Sequence, residues 1–327
     1  MSFVGGGTDV ESFFRKYGGA VLSTTINKYS YVTVRHLPRF FSYSSEFVYS
    51  QTERVTETEN IRHPAIRNAM KMLDMHEIRL SYEGDLPARS GLGTSSSFAV
   101  GMLNAFHALK GQYADKRMLA EEAIYLERVL CNEPGGWQDQ IAAAYGGLNR
   151  IDFSENGFEV KPVIVSQERK RSLNDSLMLF YTGRTRLSSE IQRSNAADGD
   201  SSAELREILR MVDIAEQILT DRNRDLNEFG RLLDCSWRLK RKTGRAVSTD
   251  SIDAIYEAGL RAGALGGKLL GAGGGGFMVF FVPREKQSAV RKALSTLLYV
   301  PFSFEDGGAR VLYYTPEVYK LKEGEET

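Results

Sequence analysis

Pro87-Ala88-Arg89-Ser90-Gly91-Leu92-Gly93-Thr94-Ser95-Ser96-Ser97 is the stretch whose reading decides the fold. Ahead of it, Ile78 to Tyr82 (Ile-Arg-Leu-Ser-Tyr) alternates as a strand does, and behind it Phe98 to Leu109 repeats its apolar residues with helical spacing. A glycine- and hydroxyl-rich loop therefore leads into a helix N-terminus. Backbone N–H groups there have no intrahelical partner, and the helix dipole adds positive potential. Phosphate is the natural guest of such a place. Gly91 and Gly93 let backbone approach an anion closely, because no Cβ intervenes. The hydroxyls of Thr94, Ser95 and Ser96 suit helix capping, phosphate oxygens or a phosphate-bound metal. The plain alternative is a helix cap after a turn, and other stretches have to decide between them.

At 327 residues the chain has room for two domains and for large cores without staples. Its 42 basic and 42 acidic residues cancel, so composition offers no polyanion-binding surface and nucleic acid is not an expected partner. There is no signal peptide and no apolar run of about 18 residues, which predicts a cytoplasmic protein without a membrane span. Cys131 and Cys235 each fall in a helical pattern with no pairing motif, and buried thiols in a reducing compartment are expected. His36, His63, His76 and His107 are scattered without zinc spacing, so a metal here would be a hard cation held by oxygen.

Glycine falls in clusters, which mark sharp turns or close backbone contacts. In Met1 to Asp9, Gly5-Gly6-Gly7 precede Thr8 and Asp9. Asp9 suits sugar hydroxyls, or caps a helix over Val10 to Tyr17. Ala20 to Arg35 alternates as strand material, residues 36–60 mix strand and loop, and Pro64 to Met75 predicts a helix. Asp115 caps a helix running to about Leu130, with Glu127 at the edge of its apolar stripe as a solvated carboxylate. Glu133-Pro134-Gly135-Gly136-Trp137-Gln138-Asp139-Gln140 opens a short helix. Asp139 in its first turn is stabilised by the dipole, or is a carboxylate aimed at a substrate hydroxyl opposite the phosphate loop.

A hairpin over residues 148–165 closes a first domain, 1–166, and leaves 167–327 as a second. That half begins with a strand at Leu177 to Tyr181. In Thr182-Gly183-Arg184-Thr185-Arg186 the arginines suit bidentate phosphate contacts, or form a solvated basic loop. Helices are expected at 203–220, 225–241 and 251–263. Residues 271–276 satisfy G-x-G-x-x-G, but a helix precedes and a strand follows, the reverse of a dinucleotide fingerprint. A helix over Glu285 to Leu298 and a last strand over Arg310 to Tyr314 complete an α+β half.

Three glycine motifs in this order resemble the GHMP kinases, the superfamily of galactokinase, homoserine kinase, mevalonate kinase and phosphomevalonate kinase. Pro87 to Ser95 matches the family's Pro-x3-Gly-Leu-Gly-Ser-Ser, with Thr94 in place of the first serine. Lys268 to Phe277 matches its C-terminal glycine motif, and Gly136 to Gln140 is similar to the Gly-x-x-Asp-Gln of galactokinase. Ser-Phe-Val-Gly-Gly-Gly-Thr-Asp, Glu-Pro-Gly-Gly-Trp-Gln-Asp-Gln and Tyr-Thr-Gly-x-Thr-Arg look most like the superfamily's heptose-phosphate kinases. Fucokinases share the Gly-Gly-Gly-Thr-Asp pattern.

The resemblance implies an α+β fold in two domains, an N-terminal half similar to ribosomal protein S5 domain 2 and a ferredoxin-like C-terminal half. It implies an ATP-dependent sugar kinase acting on the anomeric hydroxyl of a sugar phosphate. Pro87, Arg89, Ser90, Gly91, Leu92, Gly93, Thr94, Ser95 and Ser96 would hold ATP, and Ser95 with Glu127 would hold Mg²⁺. Asp139 would take or orient the proton of the attacking hydroxyl. Gly7, Thr8, Asp9, Gly136, Asp139, Gly273, Gly274 and Gly275 would face the sugar, with Arg184 or Arg186 on its phosphate. The family pattern also carries a basic residue on a strand ahead of the Gly-Gly-Gly-Thr-Asp loop. Most of that strand is missing here, which implies an unpaired sheet edge and a lost transition-state cation. The alternatives are a kinase for another sugar such as L-fucose, and a non-catalytic ATP and sugar sensor on the same fold. Retention of Ser95, Glu127 and Asp139 argues against the sensor.

Overall fold

The structure is a computed structural model that describes residues 1–88, 90–183 and 201–315. Its strands, in chain order, are β1 (Ser2–Val4), β2 (Gly19–Ser23), β3 (Thr25–Ile26), β4 (Ser30–His36), β5 (Ser45–Val48), β6 (Thr52–Val55), β7 (Ile78–Gly84), β8 (Asn149–Ser154), β9 (Gly157–Pro162), β10 (Leu177–Tyr181), β11 (Gly266–Leu269), β12 (Phe277–Phe281), β13 (Leu298–Tyr299) and β14 (Phe304–Glu305). The helices are α1 (Glu11–Tyr17), α2 (Pro64–Met72), α3 (Thr94–Leu109), α4 (Lys116–Ile124), α5 (Gln138–Tyr145), α6 (Gln167–Asp175), α7 (Ser202–Thr220), α8 (Asn227–Lys242), α9 (Asp250–Arg261) and α10 (Gln287–Ala293).

Two sheets belong to the first half of the chain. One has the order β1-β2-β8-β9, and the other β4-β7-β5-β6, with β5 parallel to β7. A third sheet, β11-β12-β10-β13, is built by the second half, and β14 returns to pair with β3. β12 takes one of the two inner places, and its Phe-Met-Val-Phe-Phe run is buried at every residue. That is the composition of a strand covered on both faces. Phe277, Val279 and Phe281 join a core with Phe229, and Met278 and Phe280 join one with Trp237 and Tyr256. The core that holds Phe229 also holds Phe3, Val4, Leu22 and Leu148, so apolar packing crosses position 166. Elements from the two halves thus meet around the Gly5–Asp9 loop.

Several expected elements take a different form. The helix opened by Asp115, whose carboxylate accepts from Met118 N–H at 2.8 Å, stops at Ile124 and continues as a π-helical turn over Tyr125–Leu130. The helix expected over 285–298 shortens to α10, and its end turns into β13. Residues 310–314 form no strand; the last pairing is made earlier, at β14. α1 begins after Val10 without a side-chain cap, because Asp9 is engaged elsewhere. Cys131 is half-buried and Cys235 is exposed, so the second thiol is not the buried one expected. Among the described residues no helix is long and apolar enough to cross a membrane.

Candidate active site

The loop before α3 is held by backbone packing rather than by side chains. A Cβ on Gly91 would stand 2.2 Å from the carbonyl oxygen of Leu270, and one on Gly276 would stand 2.1 Å from that of Ser90. Gly91 also has φ +82°, a conformation that costs other residues about 1–2 kcal/mol. The central glycine loop and the C-terminal glycine motif therefore touch backbone to backbone. Gly91→Ala combines the clash with the strained φ. It should cost about 2 kcal/mol or more and raise KM for ATP, measured by urea denaturation and initial rates.

Gly93, at φ +69°, is the N-cap of α3 and supplies no side-chain cap. The hydroxyls expected to cap the helix instead reach across to Glu127. Ser95 Oγ donates to Glu127 Oε1 at 2.8 Å, and Ser96 Oγ to Oε2 at 2.7 Å. Gln140 Nε2 donates to the same Oε2. Glu127 is only 2% exposed, so the expected solvated carboxylate is a buried one. The π-helical turn changes the phase of the helix at this residue and turns it inward. Ser95 itself is exposed, so the Ser95–Glu127 oxygen pair stands at the cleft surface. Two protein oxygens plus water suit Mg²⁺, which takes few protein ligands. Gln140 Oε1, on the amide that bonds Glu127, and Ser90 Oγ in the loop before α3 are buried without a hydrogen-bond partner.

Asp139 sits in the first turn of α5 and faces the same loop: a Cβ on Gly93 would be 3.3 Å from its Cγ. The carboxylate is open to the cleft, yet the protein around it pushes its proton affinity up, to about pH 6, chiefly by desolvation. The carboxylates of Asp9 and Glu127 add to the push, and the amino-terminal ammonium and Arg128 oppose it. The turn ahead of Asp139 is fixed by Arg128, which donates to the carbonyls of Glu133, Pro134 and Gly136 at 3.2, 3.4 and 3.1 Å. Trp137 packs edge-on against Phe14 with ring centroids 4.7 Å apart.

The Gly5–Asp9 loop docks on this turn. Asp9 Oδ1 accepts from Gly7 N–H at 2.9 Å and Oδ2 from Gln138 N–H at 3.2 Å. Gly136 is obligatory here, since a Cβ on it would fall 1.8 Å from Asp9 Oδ2. Asp9 is 2% exposed and Thr8 fully buried. The Thr8 hydroxyl shares its one proton between the carbonyls of Gly5 and Ala20 and accepts from Ala20 N–H, and its full burial keeps a sugar from it. Thr8 is scaffold rather than the expected sugar contact. Gly273, Gly274 and Gly275 are likewise buried; Gly274 N–H donates to Val247 O at 3.2 Å, and these glycines shape the motif from behind. Arg89, Arg184 and Arg186 lie outside the described residues.

Two lysines not singled out by the sequence complete the cleft. Lys268, on β11, donates to the carbonyls of Ser2 and Phe3 at 3.0 and 3.2 Å, so the strand edge expected to be bare meets an ammonium. Desolvation and the charge of Lys240 lower its proton affinity to about pH 7, against the pull of Asp9 and Asp139. Lys240, on α8, donates to Gly6 O at 3.1 Å; desolvation lowers it too, with Asp9 opposing. A periodic pattern assigns faces but not partners. Lys240 reads in sequence as one of several basic residues at the end of a helix, and only its folded position separates it from them. A cavity of about 970 Å³ opens beside Leu92, Thr94 and Ser97, between α3, β4 and residues 307–315.

The start of α3, which could accept an anion, the Ser95–Glu127 oxygen pair, which could hold a hard cation, and the Asp139 carboxylate thus lie side by side. The sequence matches the GHMP kinases N terminal domain over residues 60–147 and the GHMP kinases C terminal over residues 214–300, together more than half of the chain. It is 29% identical to a D-glycero-alpha-D-manno-heptose 7-phosphate kinase of Campylobacter jejuni, over 95% of this chain and 96% of that protein. It is 32% identical to the L-fucokinase/L-fucose-1-P guanylyltransferase of Bacteroides fragilis, over 63% of this chain and 22% of that longer protein. The fold superposes on the crystal structure of a D-glycero-D-manno-heptose 1-phosphate kinase from Bacteroides thetaiotaomicron with a TM-score of 0.76, at 25% identity and over 94% of each chain. The two-domain fold and the motifs that build its cleft thus agree with the family matches, and the chain belongs to the GHMP kinases as an ATP-dependent sugar kinase.

Proposed function

We propose that this enzyme transfers the γ-phosphoryl group of ATP to the anomeric hydroxyl of D-glycero-D-manno-heptose 7-phosphate, giving the 1,7-bisphosphate. The observation that carries the substrate is the similarity to the Campylobacter jejuni relative of that name along nearly the whole of both chains. Phosphoryl transfer has a loose transition state, so positioning and charge neutralisation do most of the work. Residues 87–96 would cradle the ATP phosphates on the start of α3. Ser95 and Glu127 would hold Mg²⁺, whose charge would offset that of the phosphates. Asp139 would accept the hydroxyl proton, its raised proton affinity matching the task. Gly7, Asp9 and Gly136 would shape the acceptor side, and we place the boundary between the two domains at residues 166 and 167.

The solved Bacteroides thetaiotaomicron relative is named for a heptose 1-phosphate, and the Bacteroides fragilis relative for L-fucose. The test is ATP consumption with Mg²⁺ against D-glycero-D-manno-heptose 7-phosphate, the corresponding 1-phosphate, the free heptose and L-fucose. Turnover is expected with the 7-phosphate alone. Preferred turnover of L-fucose or of the 1-phosphate would reassign the substrate, and no turnover with any of them would overturn the reading.

A further inference from the structure

We propose that Lys240 is the specificity-determining residue that recognises the phosphate already carried by the sugar. The proposal rests on the kinase reading above and names the group that separates a sugar phosphate from a free sugar. The cleft has an order. Asp139 stands against Gly93 of the phosphate loop. Lys268 follows, within electrostatic reach of both Asp139 and Asp9. Lys240 lies beyond Lys268, against the Gly5–Asp9 loop, where a Cβ on Gly7 would be 2.7 Å from its Nζ and 3.0 Å from Leu205 Cδ2. A sugar whose anomeric hydroxyl met Asp139 and whose chain ran along the Gly5–Asp9 loop would bring its far end to Lys240. In a heptose 7-phosphate that far end is the phosphate.

The chemistry at Lys240 fits an anion. Its ammonium has three protons, and the described residues take one, through Gly6 O. No carboxylate among the described residues lies within 4.0 Å of it, although Asp9 is near enough to raise its proton affinity. An ammonium taken partly out of water with donors to spare is costly until an anion satisfies them. Lys240 Nζ packs directly against Gly7, and a side chain there would displace the ammonium. Lys268 is not equivalent, since it already spends two protons on Ser2 O and Phe3 O. A phosphate would also restore the charge that burial weakens.

The experiment compares wild type with Lys240→Met and Lys240→Arg. The readout is the ratio of kcat/KM for heptose 7-phosphate to that for the free heptose, with thermal-shift titrations of heptose 7-phosphate alongside. Loss of a charge-assisted contact should shrink the ratio about 10- to 100-fold in Lys240→Met, with partial recovery in Lys240→Arg. The dissociation constant from the titration should rise by a similar factor. An unchanged ratio in Lys240→Met, or equal losses on both acceptors, overturns the role of Lys240 while leaving the substrate reading intact. A wild type that prefers the free sugar overturns both. A wild type that prefers some other sugar phosphate overturns only the heptose assignment, and the Lys240 ratio is then read on that acceptor. If neither acceptor turns over, equal titration curves in wild type and Lys240→Met overturn the proposal, and a weakened curve in the variant supports it.

Discussion

Asp139→Asn should lower kcat by about two to four orders of magnitude, the usual contribution of a positioned general base. The amide keeps the shape of the carboxylate and loses its ability to take a proton. In wild type the group titrates near pH 6, so kcat/KM should fall about tenfold per pH unit below that point and level off above it. The variant should lack this acid limb. Folding should not suffer. A carboxyl whose proton affinity is raised from 3.8 to about 6 binds more protons folded than unfolded across that window. Its contribution to stability therefore declines as pH rises through the window, and at neutral pH the uncharged amide removes that penalty. A variant with near-normal turnover, or one that keeps the acid limb, would remove Asp139 from the chemistry.

Glu127→Gln should raise the Mg²⁺ concentration for half-maximal rate by at least about tenfold and cut kcat/KM about 100-fold at fixed Mg²⁺. The charge is what a hard cation needs, and Ser95 alone is a weak site. The same substitution disturbs a dense set of bonds. Ser95, Ser96 and Gln140 all donate to this carboxylate, and an amide offers one oxygen to three donors. A fall in stability of about 1–3 kcal/mol should accompany the kinetic change. Ser96→Ala separates the two effects, since it removes one donor and leaves the Ser95–Glu127 pair. It should lose stability without moving the magnesium titration. An unchanged magnesium dependence in Glu127→Gln would dismiss this carboxylate as a ligand.

Local signals carried much of the architecture. The strand–loop–helix around residues 78–109, the hairpin at β8 and β9 and the apolar β12 all follow from periodicity and glycine punctuation. Partners were harder to read. Glu127 looked like a solvated edge residue because helical spacing assumes an unbroken α-helix, and the π-helical turn at Tyr125–Leu130 breaks that assumption. The hydroxyls of Ser95 and Ser96 stay open between capping and ligand binding, because their acceptor is 32 and 31 residues away in the chain. Thr8 looks available, yet it is fully buried and its proton is taken by the carbonyls of Gly5 and Ala20. Arg310 to Tyr314, expected as a last strand, finds no edge to join among the described residues, and β14 takes the last pairing instead. Lys240 and Lys268 owe their importance to what lies opposite them across the cleft, which no window along the chain contains.

The seam between the phosphate loop and the C-terminal glycine motif has a consequence for exchanging parts between relatives. Ser90 and Gly91 meet Leu270, Gly271 and Gly276 through main-chain atoms. Complementarity at such a seam depends on the absence of side chains and on the turns that glycine permits, not on which residues flank it. Chimeras that join this chain's residues 1–166 to the C-terminal half of a distant relative should close the loop correctly wherever the relative keeps those glycines. The mismatches should instead appear where side chains cross between halves, above all around Phe3 and Phe229.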